Sequence, residues 1–351
     1  MGANDEFVFF GCYTGETGGK GDGIVLARRD PATGALSRLG VAARTPSPSF
    51  VIQHPALPVL YAVNELRAGT VSAFAMDAEA TLTPLAVRAT GGAEPCHLAV
   101  ATGGTHLLVA NYSSGSVAVF PLDVDGVPGE RSDLLTLTGS GPVADRQEGP
   151  HAHMVAPDPH GPDVLVCDLG SDRVWHTRLD PVSGRLTLVG AAVAAEPGTG
   201  PRHLLRTADG ALVLVGELAG ELSWFRRGAD GGLVREGRVA SSSGKPNQPS
   251  EVLTGRDGRF VYVGNRGPDT VSVFAWDGND AVPVAEVATG GEWPRHLALL
   301  SDHLYVANER SHSVTIFRVD PDSGIPVAPG ESAAVSSPTC ILRARVRDEI
   351  A

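Results

Sequence analysis

The sequence has no run of about 18 apolar residues, the length that a membrane-spanning helix needs. Its first residues, MGANDEFVFFGCYTG, contain neither a basic segment nor an apolar stretch of the kind that begins a secretory signal peptide. Both absences favour a cytoplasmic protein, and we expect no contact with a membrane.

Lysine is nearly absent, and acidic residues outnumber basic ones, which gives a formal net charge of −12. Nucleic acids and anionic membranes require a basic surface that neutralises their phosphates, so neither is expected as a partner. The positive charge is carried mostly by arginine, whose planar fork suits carboxylates and phosphates. A GC-rich gene would also raise the arginine content.

Cysteine is scarce, with Cys12, Cys96, Cys167 and Cys340 far apart in the chain. They form no CxxC pair and have no histidine partners at zinc-ligand spacing. We therefore expect reduced, mostly buried thiols without a disulfide or a structural metal, and no cofactor is predicted.

Glycine and proline are abundant, with 43 and 26 residues spread evenly along the chain as turn residues. They punctuate one recurring phrase: a proline, a short apolar strand, a turn and a second apolar strand that ends in a polar residue. Complete copies begin at Pro48, Pro95, Pro150, Pro201, Pro249 and Pro294, and a fragment begins at Pro338. An alternating third strand and a more polar fourth strand follow each complete copy, and no segment has a convincing helical period.

Four-stranded antiparallel units of this length cannot bury both faces alone, so they are expected to stack around a central channel as propeller blades. The fragment at Pro338 supplies only an innermost strand, and the N-terminal residues match the other three strands of a blade. The sequence therefore predicts an all-β fold, one seven-bladed β-propeller over residues 1–351, and a monomer. We expect residues 339–345 to pair with the strand near 6–13 and to close the ring.

Polar residues recur at two positions of this repeat. Near the start of the innermost strand stand His97, His153, His203, Glu251 and His296, with Arg202 and Arg295 just before two of them. At the end of the second strand stand Asn64, Glu65, Asn111, Asp168, Glu217, Asn265, Arg266, Asn308 and Glu309. Both positions open on one face near the axis, so these side chains are predicted to ring one mouth of the channel. Cys12 takes the second position in its own unit and is the one thiol expected near this mouth.

Recurrent His or Asn residues can also serve only to hydrogen-bond the backbone at blade corners. A purely structural position should repeat the same residue in every unit. Glu217, Arg266, Arg202 and the pair His151 and His153 instead differ from unit to unit. These departures favour a functional site, and we expect them to converge in one pocket.

The phrases resemble the lactonase family of seven-bladed propellers, which includes bacterial propeller-type 6-phosphogluconolactonases and fungal carboxy-muconate lactonizing enzymes. The resemblance covers essentially the whole chain. It is carried by GCYTG, YAVNE, PCHLAV, VANYSSGSVAVF, GPHAH, GPRHL, GEL, YVGNRG and WPRHLAL. Membership of a family does not fix the reaction, because one fold hosts several activities.

The resemblance implies a catalytic group of one histidine, two arginines and one glutamate. Matched by motif, these are His153 of GPHAH, with His151 as the alternate, Arg202 of GPRHL, Glu217 of GEL and Arg266 of GNRG. Glu217 is the predicted general base, His153 the general acid, and the two arginines stabilise charge and hold an anionic substrate. The other mouth residues expected to contact substrate are His151, His97, His203, Arg295, His296 and Glu65.

Hydrolysis of a sugar-acid lactone, with 6-phosphogluconolactone or a related gluconolactone as substrate, is the activity that the resemblance favours. Three alternatives stay open at this point. One is the reverse direction, cycloisomerisation of a muconate-like diacid, in which His153 protonates an alkene carbon. Another is a metal-dependent lactonase that uses hard oxygen ligands from Glu65, Asn111, Asp168, Glu217 and Asn308. The third is a non-catalytic interaction platform, which should expose apolar patches on its top or rim.

Overall fold

The computed structural model describes residues 6–229, 231–327 and 332–346, so both ends of the predicted domain lie outside the described residues. These residues form seven four-stranded antiparallel sheets, as the repeat predicts. The helical structure assigned to them is one 3-10 turn, Gly15–Thr17. Within the described chain, no helix is long and apolar enough to cross a membrane. The cytoplasmic location and the monomeric state stay predictions.

The strands, numbered in chain order, are grouped here by blade. Blade 1 has β1 (Glu6–Cys12), β2 (Ile24–Arg29), β3 (Leu36–Ala43) and β28 (Pro338–Arg343); blade 2 has β4 (Val51–Gln53), β5 (Val59–Asn64), β6 (Thr70–Met76) and β7 (Leu82–Ala89); blade 3 has β8 (Pro95–Val100), β9 (His106–Asn111), β10 (Ser116–Pro121) and β11 (Asp133–Thr136). Blade 4 has β12 (Ala152–Pro157), β13 (Asp163–Asp168), β14 (Arg173–Leu179) and β15 (Leu186–Ala194); blade 5 has β16 (Pro201–Arg206), β17 (Leu212–Gly216), β18 (Glu221–Arg227) and β19 (Leu233–Ala240). Blade 6 has β20 (Gln248–Thr254), β21 (Phe260–Arg266), β22 (Thr270–Trp276) and β23 (Ala281–Ala288); blade 7 has β24 (Pro294–Leu300), β25 (His303–Asn308), β26 (Ser313–Arg318) and β27 (Ser332–Ala334).

The burial of each strand depends on how far neighbouring blades cover it. The second strands, such as HLLVAN of β9 and HLYVAN of β25, are buried at every position because both their faces pack against neighbouring blades. The outermost strands, such as AVPVAEVA of β23, alternate between exposed and partly covered residues. The core therefore lies between the blades, in seven apolar clusters around the ring.

The two ends of the chain meet in blade 1, which confirms the predicted closure. Strand β28 pairs antiparallel with β1, and the register places Val8 opposite Arg343 and Phe10 opposite Ile341. Strand β28 is thus the innermost strand of a blade whose other three strands come from the N-terminal residues. The edge of β1 that would otherwise stay open is paired.

The cysteines are reduced in the described residues, but the expectation for Cys12 is wrong. Cys12 is completely buried in the apolar cluster between blades 1 and 7, and its Sγ lies 3.7 Å from the carbonyl oxygen of Phe10. Burial raises the pKa of this thiol to about 12. In blade 1 the side chain at the end of the second strand therefore points into the interface with blade 7, and Cys12 is not part of the mouth.

Candidate active site

Irregular pairing at the start of the innermost strands turns side chains away from the regular sheet. In blade 5, the register between β16 and β17 shifts between Pro201 and Leu204, which leaves Arg202 and His203 outside the ladder. Corresponding shifts occur at the same place in blades 1, 3, 4, 6 and 7. Such β-bulges redirect side chains next to functional sites. In this protein the bulges lie on one face of the propeller, where the innermost strands start and the second strands end. This face is called the mouth face below.

On the mouth face, Glu217 lies at the centre of three guanidinium groups, called the arginine cluster below. Glu217 directly follows β17, and its Oε2 is 3.0 Å from Nε of Arg202 and 2.7 Å from Nη2 of Arg266. Its Oε1 is 2.6 Å from Nη2 of Arg146, which reaches the site from the long connection between β11 and β12. The side chains of Glu217, Arg202 and Arg266 are at most 5% exposed, whereas Arg146 is 31% exposed.

The electrostatics of the arginine cluster are those of a site with excess positive charge. Burial alone raises the pKa of Glu217, but the guanidiniums of Arg266, Arg202 and Arg146 outweigh it and hold that pKa well below its usual range. Burial, reinforced by Arg202 and Arg295, lowers the pKa of Arg266 to about 10 despite the attraction of Glu217. Burial also lowers the pKa of Arg202. One carboxylate is therefore not enough to balance these cations.

His153 lies beside the arginine cluster as a buried, neutral imidazole. Its ring centroid is 5.6 Å from that of Tyr112, whose hydroxyl accepts a 3.2 Å hydrogen bond from Arg146. Burial and the positive charges of Arg202 and its neighbours hold the pKa of His153 well below its usual range. Its Nδ1 has no hydrogen-bond partner within the described protein. A neutral ring with an unused nitrogen is a potential proton acceptor, although this nitrogen is buried from bulk solvent.

His151 is engaged on both ring nitrogens, which distinguishes it from His153. Its Nδ1 is 3.1 Å from the carbonyl oxygen of Tyr112, and its Nε2 is 3.2 Å from Oε1 of Glu148. The ring also stacks on Tyr112 at a centroid distance of 4.5 Å. His151 therefore holds Tyr112 in place, and His153 is the better candidate for proton transfer.

A second group, called the histidine cluster below, lies against His153. It consists of Phe50, His97, His153, His203, Glu251 and His296. The rings of His153 and His203 have centroids 5.2 Å apart, and those of His97 and His203 are 5.5 Å apart. Burial is the largest cause of the lowered pKa values of all four imidazoles.

The remaining predicted contact residues form a third group around Arg295. Nη2 of Arg295 donates a 2.5 Å hydrogen bond to the hydroxyl of Tyr13, which donates a 2.8 Å hydrogen bond to Oε1 of Glu65. Nε of Arg295 is 3.7 Å from Oε2 of Glu309. Burial raises the pKa of Glu65, and its Oε2 lacks a hydrogen-bond partner among the described residues. This group carries more carboxylate than guanidinium, so it contrasts with the arginine cluster.

The repeated Asn and Asp residues at the ends of the second strands have the structural role that the sequence left open. Asn64 binds Thr45, Pro46, Thr70 and Ser72 at one blade corner, and the other members also bond within their own corners. The ligand set of the metal alternative is therefore dispersed among separate blade corners. No three His, Cys, Asp or Glu side chains in the described parts of the chain are arranged to hold a metal ion together.

Sequence reasoning missed three residues of this site: Arg146, Tyr112 and Tyr13. Arg146 lies in a segment that does not repeat, so no comparison between units could single it out. Tyr112 and Tyr13 each follow the end of a second strand, within the quoted phrases VANYSSG and GCYTG. Their position one residue after the recurrent polar residue was the available signal.

The electrostatics bear on the roles predicted for Glu217 and His153, and both roles stay predictions. A carboxylate that is bound by three guanidiniums and has a depressed pKa is a weaker base than a free carboxylate. A buried imidazole with a depressed pKa is neutral near pH 7, so His153 is a base before it can be an acid. Glu217 pairs with all three arginines, and the neutral His153 is a second candidate for the proton acceptor.

The fold and these clusters define a seven-bladed β-propeller with a polar, cation-rich group of side chains on its mouth face. The chain matches the family described as lactonase, 7-bladed beta-propeller, over residues 7–343, and it belongs to that family. A Bacillus subtilis relative named 6-phosphogluconolactonase is 31% identical over 95% of this chain and 97% of its own length. One from Formosa agariphila with the same name is 28% identical over 90% and 93%. The structure of a periplasmic gluconolactonase of Pseudomonas aeruginosa is similar with a TM-score of 0.90 at 29% identity, and covers 98% of this chain and 100% of that one.

Proposed function

We propose that this protein is a lactone hydrolase that opens the lactone of a sugar acid, with a phosphorylated gluconolactone such as 6-phosphogluconolactone as its substrate. The observation that carries the proposal is the arginine cluster, in which three guanidiniums surround one carboxylate. Two positive charges are in excess there, in a protein whose formal net charge is −12. A phosphate or carboxylate group of the substrate would balance them.

The guanidiniums keep donors available for such an anion. Arg146 uses a single nitrogen, Nη2, for both Glu217 and Tyr112, and its side chain is the most exposed of the cluster. A guanidinium has five N–H donors in a planar fork, which suits a phosphate or a carboxylate. The pKa of Arg266 is lowered to about 10 by burial and by neighbouring cations, so a bound anion would relieve this repulsion.

The neighbouring His153 supplies the base that hydrolysis of a lactone requires. A neutral imidazole takes a proton from water as the water oxygen attacks the carbonyl carbon, and it returns that proton to the ring oxygen as the ring opens. The guanidiniums next to it stabilise the negative charge that develops on the carbonyl oxygen. A positioned base typically contributes about 10²- to 10⁴-fold to the rate.

The alternatives have less support. Cycloisomerisation needs His153 as an imidazolium that protonates carbon, and the depressed pKa of His153 disfavours that state. An interaction platform should expose apolar patches, but the exposed aliphatic residues on the fourth strands are spread over several blades. Leu85 and Val87 of β7, for example, are two on one strand. Scattered residues of this kind are usual on a protein surface.

The proposal is tested by the hydrolysis of 6-phosphogluconolactone and of unphosphorylated gluconolactone, followed as acid release above the spontaneous rate. Replacing Arg146→Gln should raise the KM for the phosphorylated lactone by about 10-fold or more, because one charge-assisted contact is lost. The KM for the unphosphorylated lactone should change by less than about twofold.

Arg256→Gln is the matched control, because Arg256 is an exposed arginine on the opposite face, 3.1 Å from Asp302. It should leave both KM values unchanged. If the wild-type protein opens neither lactone, the hydrolase proposal is wrong. If Arg146→Gln affects both lactones equally, recognition of the phosphate by the arginine cluster is wrong.

A further inference from the structure

Blade 6 differs from its neighbours at the repeat position that carries histidine in four other blades. Near the start of the innermost strand, blades 3, 4, 5 and 7 have His97, His153, His203 and His296, whereas blade 6 has Glu251. The side chain of Glu251 is only 12% exposed. A carboxylate so far removed from water needs hydrogen-bonding or charged partners. The hydrolysis described above gives Glu251 no role.

Glu251 lies between two imidazoles. Its Oε1 is 3.0 Å from Nδ1 of His203, and its Oε2 is 3.5 Å from Nε2 of His296. Because an ionised carboxylate only accepts hydrogen bonds, it favours the tautomer of His203 with a proton on Nδ1. The other side of His203 packs edge to face against His153, with ring centroids 5.2 Å apart. A line of contacts thus runs from His153 through His203 to a carboxylate.

We propose that Glu251 is a positioning residue for hydrolysis, which acts through His203 to supply the negative charge that His153 needs while it carries a proton. The inference rests on the hydrolase function proposed above. In the first step an O–H bond of water breaks, its proton goes to His153, and the oxygen forms a bond to the carbonyl carbon. In the second step the ring C–O bond breaks and the same proton goes to the departing oxygen. No other co-reactant is needed.

Between the two steps, His153 is an imidazolium in a strongly cationic setting. The charged and titratable groups that face His153 or His203 are Arg202, Arg266, Arg295, Glu217, Glu251, Tyr112, Cys96, His97 and His296. The charge of Glu217 is already shared among three guanidiniums. Within the described residues, the ion-pair partners of Glu251 are His203 and His296 alone, which burial keeps neutral. Arg202 also shares the charge of Glu251, whose path to the protonated His153 therefore runs through His203.

The test is Glu251→Gln, which keeps a hydrogen-bond acceptor next to His203 and removes the charge. With the lactone that the wild-type protein hydrolyses best, kcat should fall about 3- to 10-fold, because His153 becomes a weaker base. The KM should stay within about twofold, because the arginine cluster is unchanged. Removing a negative charge makes His153 harder to protonate, so the acid limb of the kcat profile should move to lower pH by roughly one unit. Glu251→Asp should recover part of kcat and return the acid limb toward its wild-type position.

Glu286→Gln is the matched control in the same blade. Glu286 lies on β23 and accepts hydrogen bonds from Ser242, Ser243 and Thr270, so the substitution removes a charge and local contacts far from the histidine cluster. The acid limb of the kcat profile of Glu286→Gln should coincide with that of the wild-type protein. A second measurement does not depend on turnover: nitrogen chemical shifts of His203 in the wild-type protein should show the proton on Nδ1.

The outcomes separate this inference from the proposed function. An acid limb that does not move in Glu251→Gln, or a His203 proton on Nε2, overturns the role of Glu251 while lactone hydrolysis by the wild-type protein still stands. A metal ion whose removal by chelation abolishes turnover also overturns it, because the imidazoles would then be ligands. A wild-type protein that hydrolyses no lactone overturns both. A shifted limb with an unchanged KM supports the inference.

Discussion

Glu217 accepts hydrogen bonds from three arginines through its two carboxylate oxygens, with all four side chains converging on the mouth face. Breaking a buried ion pair on one side costs more than the pair contributes, because the remaining charges stay buried without compensation. Without Glu217, Arg202 and Arg266 would repel each other and Arg146 would lose its anchor. The carboxylate therefore holds together a group of guanidiniums that could not persist as bare cations.

Glu217→Gln is expected to reduce both turnover and stability. The free energy of unfolding should fall by about 3 kcal/mol, because buried guanidiniums lose their counter-charge. Turnover should fall at least about 10²-fold, because the groups that stabilise the transition state lose their positions. Inorganic phosphate should restore much of the lost melting temperature, because it supplies the missing negative charge.

The control for this variant is Glu196→Gln, which breaks an exposed pair with Arg235 at 3.1 Å and should leave stability nearly unchanged. A Glu217→Gln protein that is as stable as the wild type, melts at the same temperature with or without phosphate and yet is inactive would instead support Glu217 as the general base.

At the scale of strands and blades, the sequence predicted nearly everything that repeats. The proline, the apolar second strand and the turn recur in every unit, so strand order, blade number and the pairing of β28 with β1 could all be deduced. Side chains such as Arg202 and Arg266 could be selected because they break the repeat. Arg146 could not, because it lies between repeating elements. The sequence could not predict the pKa shifts of Glu217 and His153, because a pKa depends on how many charges surround a group, which a spacing along the chain does not reveal.

A buried side chain also links the first and last blades of the ring, and no sequence pattern predicted this contact. Arg29 of β2 is completely buried and joins blade 1 to blade 7. Its Nε donates a 2.7 Å hydrogen bond to the hydroxyl of Tyr305, and its Nη2 donates a 2.9 Å hydrogen bond to the carbonyl oxygen of Leu300. Its Nη1 forms a 2.5 Å ion pair with Glu6. The first and last blades are thus linked both at the sheet and through this side chain.

Arg29→Met should lower the free energy of unfolding by about 3 to 5 kcal/mol. The substitution keeps much of the volume but removes the donor to the carbonyl oxygen of Leu300 and to the hydroxyl of Tyr305, and it leaves Glu6 with only its 3.4 Å contact to Arg343. Denaturant unfolding followed by tryptophan fluorescence measures the change. Arg44→Met, also in blade 1, breaks only an exposed pair with Asp22 at 3.1 Å and should change stability by less than about 0.5 kcal/mol. Equal stability of the two variants would show that Arg29 does not fasten the ring.

At the scale of the whole molecule, the ring brings together residues that are distant along the chain and concentrates their charge. Glu217 is 71 positions from Arg146 and 49 from Arg266, yet both guanidiniums contact it. The net charge of −12 repels anions at long range, whereas the arginine cluster attracts them at the mouth. An anionic substrate should therefore bind faster as salt screens the outer repulsion, up to the concentration at which the cluster itself is screened.

The histidine cluster gives the whole propeller a predictable sensitivity to acid. Burial holds the pKa values of His97, His153, His203 and His296 below the usual value near 6.5. Below about pH 6.5 these histidines bind protons in the unfolded chain but stay neutral in the folded protein. Protonation therefore favours the unfolded chain, and the free energy of unfolding falls as the pH falls. The free energy of unfolding should therefore decrease steeply between about pH 7 and pH 5.

His97→Phe keeps a ring beside Phe50 and removes one titrating group. It should reduce the slope of the free energy of unfolding against pH by up to about 1.4 kcal/mol per pH unit. Phe50→Leu disturbs the same contact without removing a titrating group and should keep the wild-type slope. Urea unfolding of the three proteins at several pH values measures the slopes, and an unchanged slope in His97→Phe would show that this imidazole is protonated alike in the folded and unfolded states.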